Sequence, residues 1–412
     1  MANIDVYLKP VLREVGLNNP ELSGRLVNEL NKYIFAYHHG SSEALSLTMP
    51  LRAESYSFNH LHPIFQMNLP EGHLRQAIER ATAKQYGSDD LTMLALLGVN
   101  QIGRLAYAIA DQKLIDQNLA TPDLKTLLAS EDATLFNQLM QQFATSSGVA
   151  GVQPKVLLNL KTKATLPLQS YIVKSWGAEF PELGCNEMVC LTIARHAGLN
   201  VAEFHLSDNG KLLVSKRFDI QTTEIDDKTN NLSLGFEDFC VLQGKTTREK
   251  YDASLESCTN TIRQFVSPVH QQQALYDFFK LTLVNILVRN GDAHLKNSGV
   301  IYNNLKNYQQ GTFPETERQL APIFDIVSTI PYIANDTMAL TLTGSKRWPK
   351  WKVLEQFARQ HCGLNSKKIE LAINEVKGAA ERAFPLLDEL SELHPEFENI
   401  ADVIRLLIKQ PF

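Results

Sequence analysis

The sequence predicts an α+β protein with an α/β N-terminal part and an all-helical C-terminal half. Two observations support this fold class. Alternating or apolar segments such as Lys155–Leu160 and Ser170–Lys174 predict paired strands. After about residue 238, apolar side chains instead recur at helical spacing. These changes of pattern divide the 412 residues into 1–110, an α/β unit over 111–240 and a helical domain over 241–412.

Local signals bound the elements of the central unit. Asn186–Ala197 has the periodicity of a helix, and Gly198 follows where a glycine would end it. The strands Ala202–Leu206 and Leu212–Val214 flank Asp208-Asn209-Gly210, whose Asn-Gly pair is a strong signal for a tight hairpin turn. The expected order is therefore strand, strand, helix, strand, strand.

The C-terminal half is predicted to be built around one buried helix. Gln271–Arg289 is apolar on nearly every face, which is typical of a helix enclosed by others. Lys352–His361, Lys367–Leu390 and Phe397–Lys409 are expected to complete this helical domain. Pro385 should kink or divide the second of these, because proline cannot donate a backbone hydrogen bond.

Composition excludes several functional classes. With 40 Lys+Arg against 45 Asp+Glu, the net charge of -5 disfavours non-specific binding to nucleic acid or to anionic membranes. No apolar run approaches the roughly 18 residues of a membrane span. The 5 cysteines contain no C-x-x-C pair, so neither a disulfide framework nor a zinc knuckle is supported. Because the N-terminus also lacks the features of a signal peptide, a cytoplasmic protein is expected.

The densest group of polar side chains follows the buried helix directly, in the segment Arg289–Asn297. Asp292 and Asn297 have the Asp-x₄-Asn spacing used in phosphoryl transfer. In such sites the aspartate accepts the proton of an attacking hydroxyl, while the amide oxygen reaches Mg²⁺. The alternative is a polar loop in which Asp and Asn side chains only cap turns.

Two further candidates would complete such a site. Asp325 lies in an apolar run and needs a cation or hydrogen-bond donors if it is buried, so a role as Mg²⁺ ligand beside Asn297 is plausible. Lys174 closes an apolar strand and could pair with ATP phosphates, with Glu187 of the following helix as its ion-pair partner. The alternatives are an aspartate that caps a turn and a solvated lysine at the end of a strand.

Two segments before and after that strand give weaker evidence for a nucleotide site. Residues 145–155 contain two glycines and several small residues that allow close approach to phosphates, but they match no standard nucleotide-binding motif. Residues 215–219 stand where a kinase chain crosses between its lobes, although an ordinary charged turn is equally compatible. All of these signals occur in the order of a protein-kinase fold, which predicts an ATP-dependent phosphotransferase.

At these positions the sequence resembles the HipA family of bacterial serine/threonine kinases, the toxins of HipA–HipB toxin–antitoxin pairs. The most specific match is Asn290-x-Asp292-x-His294-x-Lys296-Asn297, followed by Ala321-Pro322-x-Phe324-Asp325-Ile326. Weaker matches are residues 147–155, 171–174, 186–187, 216–219, 237–240 and 250–251, and in the N-terminal third residues 68–72 and 94–103.

The resemblance implies a two-lobed, protein-kinase-like fold and a set of site residues. It implies that Asp292 is the catalytic base and that Asn297 and Asp325 hold Mg²⁺, while His294 is expected to hold the loop that contains it. The residues that it assigns to the ATP site are Gly148, Val149, Ala150, Gly151, Val152, Gln153, Lys155, Lys174, Glu187, Lys216, Arg217, Phe218, His294 and Lys296.

The resemblance also implies regulation and partners. Family members autophosphorylate a serine in the glycine loop, and here Gly148 occupies the position where some members have that serine, so Ser147 or Ser146 is the candidate. Members phosphorylate a component of the translation machinery, such as an aminoacyl-tRNA synthetase, with growth inhibition and persistence as the result. They bind a small helix-turn-helix antitoxin, HipB, and would reach operator DNA only through it.

Two other functions fit part of the pattern. A small-molecule kinase of the aminoglycoside or choline type also uses the arrangement Gly291-Asp292-x-His294-x-x-Asn297. Gln153-Pro154-Lys155, Lys296-Asn297 and Phe218-Asp219 favour the toxin family instead. The second alternative is a degenerate kinase fold that acts only as an antitoxin-binding or scaffold module. The complete set of Lys174, Asp292, Asn297 and Asp325 argues against it.

Overall fold

The computed structural model describes residues 3–10, 20–72, 74–76, 78–80, 87–99, 101–114, 123–130, 134–146, 164–167, 171–225 and 228–410, with the backbone alone at 141–146, 164–167 and 222–231. The strands are β1 (Ile4–Leu8), β2 (Glu21–Glu29), β3 (Lys32–Tyr37), β4 (Tyr56–Phe58), β5 (Leu105–Ile109), β6 (Ala164–Pro167), β7 (Tyr171–Ser175), β8 (Phe204–Leu206), β9 (Leu213–Lys216), β10 (Ile220–Ile225), β11 (Lys228–Ser233), β12 (Gly235–Asp238), β13 (Gly299–Tyr302) and β14 (Arg318–Leu320).

The α-helices are α1 (Pro63–Gln66), α2 (Asp90–Leu97), α3 (Leu124–Ala129), α4 (Leu135–Ser146), α5 (Leu183–His196), α6 (Phe239–Leu242), α7 (Leu255–Phe265), α8 (Pro268–Leu287), α9 (Trp351–Gln360), α10 (Ser366–Glu381), α11 (Phe384–Leu393) and α12 (Glu398–Lys409). Short 3₁₀ turns lie at Thr247–Glu249, Leu295–Asn297 and Pro395–Phe397. Among the described residues, no helix combines the length and hydrophobicity needed to cross a membrane.

The N-terminal region forms an antiparallel sheet with the strand order β4-β3-β2-β1-β5. Strand β1 lies between β2 and β5, and its Ile4 and Val6 side chains are fully buried. Helix α2 begins after Asp89, whose carboxylate accepts a hydrogen bond from the backbone of the first turn at 3.1 Å. Leu91 and Leu94 of this helix join the same core as the strand residues.

The central unit contains a second antiparallel sheet, in the order β6-β7-β9-β8, with α5 following β7 in the chain. The predicted hairpin turn is present between β8 and β9. Gly210 has a φ of 68°, in the left-handed region that glycine adopts without strain, and Ser207 N donates to Leu212 O at 2.9 Å. Gly198, with a φ of 74°, follows the end of α5, as the sequence predicted. The predicted strand Lys155–Leu160 lies outside the described residues.

The C-terminal half is mostly helical around α8, which confirms the predicted buried helix. It is not helical throughout, because β13 and β14 pair with β12 in a three-stranded antiparallel sheet. Pro268 occupies the first turn of α8, where a missing N–H costs no helical hydrogen bond. Phe279, Leu283 and Val284 are fully buried in the largest core of the protein. Helix α10 ends at Glu381 and α11 begins at Phe384, so the predicted division near Pro385 is also present.

Buried ionisable side chains join the N-terminal region to the rest of the chain. Arg104 forms an ion pair with Glu43, whose carboxylate also accepts a hydrogen bond from Leu305 N at 2.9 Å. Glu237 accepts hydrogen bonds from Tyr302 Oη at 2.6 Å and from the backbone of Leu47 at 2.7 Å. Burial raises the pKa of Glu237 to about 7. These contacts connect residues that are 61 or more positions apart in the chain.

Candidate active site

Lys174 lies at the centre of a buried group of charges. Its strand, β7, pairs with β6 on one side and β9 on the other, so the ammonium group is held at a defined place. Nζ forms an ion pair with Glu187 of α5, as the sequence predicted, and contacts Asp325 Oδ1 and Phe324 O, both at 3.1 Å. The side chains of Lys174 and Glu187 are 7% and 2% exposed. The two carboxylates compensate the cost of burying the ammonium.

The loop that follows α8 is held by hydrogen bonds that its backbone amides donate to side chains. Arg289, two residues beyond the end of α8, has a φ of 53°, and Asn290 Oδ1 then accepts a hydrogen bond from Asp292 N at 3.1 Å. Gly291 N donates to Thr329 Oγ1 at 3.0 Å. A Cβ at Gly291 would stand 1.9 Å from Asp336 Oδ2, so a larger residue would require the Asp336 and Thr329 side chains to move.

The Asp292 side chain is accessible on the surface of this loop. Its side chain is 44% exposed, and Oδ1 accepts a hydrogen bond from Tyr251 Oη at 2.7 Å. His294 Nε2 lies 4.0 Å from the same oxygen, and the His294 ring meets the Tyr251 ring edge-on. Burial lowers the pKa of His294, which favours the neutral imidazole. The carboxylate of Asp292 is therefore oriented by one donor and remains open to an incoming group.

Asn297 and Asp325 meet through one hydrogen bond. Asn297 Nδ2 donates to Asp325 Oδ2 at 2.8 Å, while Asn297 Oδ1 accepts from His294 N at 2.9 Å. The two predicted metal ligands are thus adjacent, with Lys174 on the other oxygen of Asp325. A cation held between them would need the opposite orientation of the amide, with its oxygen toward Asp325.

The predicted hinge is anchored to the N-terminal region. Arg217 and Asp219 form a buried ion pair at 2.5 Å, and Arg217 also donates to Gln101 O at 2.8 Å. The Phe218 ring packs against Phe324, at 5.5 Å between centroids. Lys216 at the end of β9 is exposed. The guanidinium of Arg217 is therefore engaged in structural contacts within the protein.

The predicted glycine loop lies mostly outside the described residues. This applies to Ser147 and to the ATP-site candidates Gly148, Val149, Ala150, Gly151, Val152, Gln153 and Lys155. Ser146 is the last residue of α4, and only its backbone is described.

Sequence reasoning missed the surroundings of Lys296, which the resemblance assigned to ATP. Lys296 Nζ forms an ion pair with Glu71 of the N-terminal region, and the side chain is 16% exposed. Burial opposes the charged form, but Glu71 and the buried Asp238 raise the pKa of Lys296 above its ordinary value. Glu71 lies in the segment 68–72, whose resemblance to the family was the sequence signal that could have pointed to it. Tyr251 was also matched as a motif but was not expected to contact Asp292.

A second group of potential metal ligands lies at the N-terminal end of α5. Atoms of Glu182, Cys185 and His394 lie within 4.8 Å of one another. Glu182 is already engaged, because it accepts a hydrogen bond from Lys211 Nζ at 2.8 Å and from Cys185 Sγ at 3.5 Å. The carboxylate therefore has its charge compensated without an ion.

The antiparallel sheets and the helical domain form an α+β, protein-kinase-like fold. The candidate lysine, glutamate, aspartate and asparagine occur along the chain in the order of such a fold. A sequence profile of the HipA-like C-terminal domain matches residues 147–384, and one of the HipA N-terminal domain matches residues 14–108. The first of these spans more than half of the chain. The chain therefore belongs to the HipA family of kinases, as the resemblance predicted.

Comparisons with individual relatives support this family assignment. Y4dM of Sinorhizobium fredii, named as a candidate kinase, is 26% identical over 435 residues that cover 98% of this chain and 95% of the relative. The serine/threonine-protein kinase toxin HipA of Shewanella oneidensis is 25% identical over 303 residues, covering 66% of this chain and 68% of the relative. The solved complex of Shewanella oneidensis HipA with HipB and operator DNA matches with a TM-score of 0.69 and 17% identity, over 98% of this chain and 96% of that one. This likeness confirms the predicted fold.

Proposed function

We propose that this protein is an ATP- and Mg²⁺-dependent serine/threonine protein kinase of the HipA toxin type. One observation carries the proposal. Lys174, Asp325 and Asn297 form a continuous chain of contacts, and the loop that supplies Asn297 also presents the accessible carboxylate of Asp292. Phosphoryl transfer requires this combination of a phosphate-binding cation, metal ligands and a base that orients the attacking hydroxyl.

Asp292 is the proposed base. Its exposed carboxylate can accept the proton of a serine or threonine hydroxyl, while the hydrogen bond from Tyr251 holds one oxygen in place. The backbone contact to Asn290 sets the direction of the loop. Because His294 lies beside Asp292 but favours the neutral imidazole, it adds no fixed positive charge that would compete for the carboxylate.

The residues at the proposed metal site fit Mg²⁺ by donor type. Asp325 and Asn297 offer carboxylate and amide oxygens, the ligands that a hard cation prefers. When bound, the ion would neutralise charge on the transferred phosphoryl group. Lys174 would contact the phosphates, with Glu187 holding its ammonium group, and residues 148–155 would cover them. Lys216, Arg217 and Phe218 would adjoin the adenine, chiefly through their backbone.

Regulation and partners are proposed by analogy with the family. The relative from Shewanella oneidensis is named a toxin, and the solved structure of that organism's HipA contains HipB and operator DNA. We propose a HipB-like antitoxin partner for this chain, operator DNA contact only through that antitoxin, and a cytoplasmic protein substrate of the translation machinery such as an aminoacyl-tRNA synthetase. Autophosphorylation is proposed at Ser147 or Ser146.

Intact mass before and after incubation with Mg·ATP tests the proposal directly. The wild type should gain one phosphoryl group on Ser146 or Ser147 or transfer phosphate to serine or threonine of a protein in a bacterial lysate. Asp292→Asn should lower the rate by about 10²–10⁴-fold, the usual contribution of a positioned base. Asp252→Asn is the matched control, because Asp252 is exposed and close to Tyr251 in the chain. Turnover of small alcohols without any protein phosphorylation would instead establish a small-molecule kinase.

A further inference from the structure

Glu71 is a carboxylate of the N-terminal region that reaches the loop containing Asp292. Its Oε1 forms the ion pair with Lys296, and its Oε2 lies 3.6 Å from Lys250 Nζ. The two lysines precede and follow Asp292 in the chain. Their side chains are 16% and 21% exposed, whereas that of Glu71 is 46% exposed. One carboxylate therefore joins two separate segments around the proposed base.

Each lysine is followed directly by a group of the proposed site. Lys250 precedes Tyr251, which donates the 2.7 Å hydrogen bond to Asp292. Lys296 precedes Asn297, which donates the 2.8 Å hydrogen bond to Asp325. A shift of either lysine would move its neighbour along the same backbone, and thus the base or the metal ligands.

The two segments are also joined by their backbones. Leu295 N donates to Lys250 O at 3.2 Å, so the turn Leu295–Asn297 and the segment before Tyr251 form one unit. Glu71 of the N-terminal region contacts both lysines of this unit. The buried Asp238 is a second negative group near Lys296. Although burial opposes ionisation of Glu71, the two lysines hold its pKa below the ordinary value. The ionised pairing is therefore favoured at neutral pH.

We infer that Glu71 is a positioning residue of the kinase reaction, through which the N-terminal region holds Tyr251 and Asn297 in the geometry that transfer requires. This inference rests on the proposed function. Glu71 acts through Lys250 and Lys296. Its loss should therefore affect the metal requirement and the maximal rate more than the apparent affinity for ATP.

The test compares Glu71→Gln with Glu79→Gln. Glu79 belongs to the same region but pairs only with Arg75 among the contacts described, at 2.8 Å, and both side chains are about one-third exposed. In Glu71→Gln we expect kcat to fall and the Mg²⁺ concentration for half-maximal rate to rise, each by about 10-fold, as is usual for residues that support metal ligands. KM for ATP should change less than about 3-fold, and Glu79→Gln should match the wild type in every measurement. Melting temperatures identify any general loss of folding.

Hydrogen–deuterium exchange gives a readout that does not depend on activity. Amides of residues 290–298 should exchange faster in Glu71→Gln than in the wild type or in Glu79→Gln. Unchanged exchange together with unchanged kinetics would overturn the inference. A faster reaction in Glu71→Gln would also overturn it, because Glu71 would then be withholding Lys296 from the phosphates. If the wild type transfers no phosphate, the proposed function fails, and the exchange comparison alone decides whether Glu71 holds the loop.

Discussion

Replacing Lys174 by methionine would separate the structural from the functional role of the central ion pair. Methionine preserves an unbranched side chain of similar length but removes the charge. Glu187, 2% exposed, and Asp325, 20% exposed, would then face each other's negative charge without the ammonium between them. Removing one partner of a buried ion pair usually costs about 3–5 kcal/mol. That cost is a large share of the roughly 5–15 kcal/mol that stabilises a typical domain.

The cost predicts a measurable change in thermal unfolding. For a domain of 150–250 residues, 3–5 kcal/mol corresponds to a fall in melting temperature of roughly 6–20 °C. The double variant Lys174→Met/Glu187→Leu should recover most of this loss, because it also removes the buried carboxylate whose charge Lys174 neutralises. Lys32→Met is the control, since Lys32 is an exposed lysine on strand β3.

Calorimetric titration with Mg·ATP completes this experiment. Both Lys174 variants should fail to bind ATP with wild-type affinity, although the double variant is stable. A Lys174→Met protein that melts within about 1 °C of the wild type would refute the structural argument. Wild-type ATP affinity in the stable double variant would refute the proposed phosphate contact.

Two further predictions concern Asp325 and Glu237. Asp325→Ala should abolish Mg·ATP binding in calorimetry, and unaltered affinity would remove Asp325 as a metal ligand. Glu237 is buried with its pKa raised to about 7, so the folded protein keeps this proton at pH values where the unfolded chain has released it. Its stabilising contribution is thus complete below about pH 4.5 and is lost as pH rises through 7, by about 3 kcal/mol in total. The melting temperature of the wild type relative to Glu237→Gln should therefore fall from pH 5 to pH 8. A difference that is constant across this range would contradict the assigned protonation.

The sequence predicted a helix or turn correctly where the residues of that segment alone specify its conformation. The apolar faces of Gln271–Arg289 predicted the buried helix, observed at Pro268–Leu287. The Asn-Gly pair at 209–210 predicted the hairpin turn. In both cases the physical cause is local, since side-chain periodicity and backbone conformation depend on neighbouring residues.

Part of the candidate site was also determined by the sequence. The spacing of Asp292 and Asn297 identified the loop, and the need of a buried aspartate for donors anticipated the contacts that Asp325 makes to Lys174 and Asn297. The expected ion pair between Lys174 and Glu187 is present because the two residues are only 13 positions apart, on adjacent elements.

Only the tertiary structure decided which distant groups complete this site. Glu71 lies 225 positions before Lys296, and Tyr251 lies 41 positions before Asp292, so no periodicity or spacing connects them. The same is true of Glu237 and Leu47, which are 190 positions apart. Contacts of this kind depend on how sheets and helices pack, and the strong electrostatic cost of an unpaired buried charge then selects the partner that packing brings near. The sequence by itself predicted the chemistry of the loop, and tertiary packing determined what holds that loop in place.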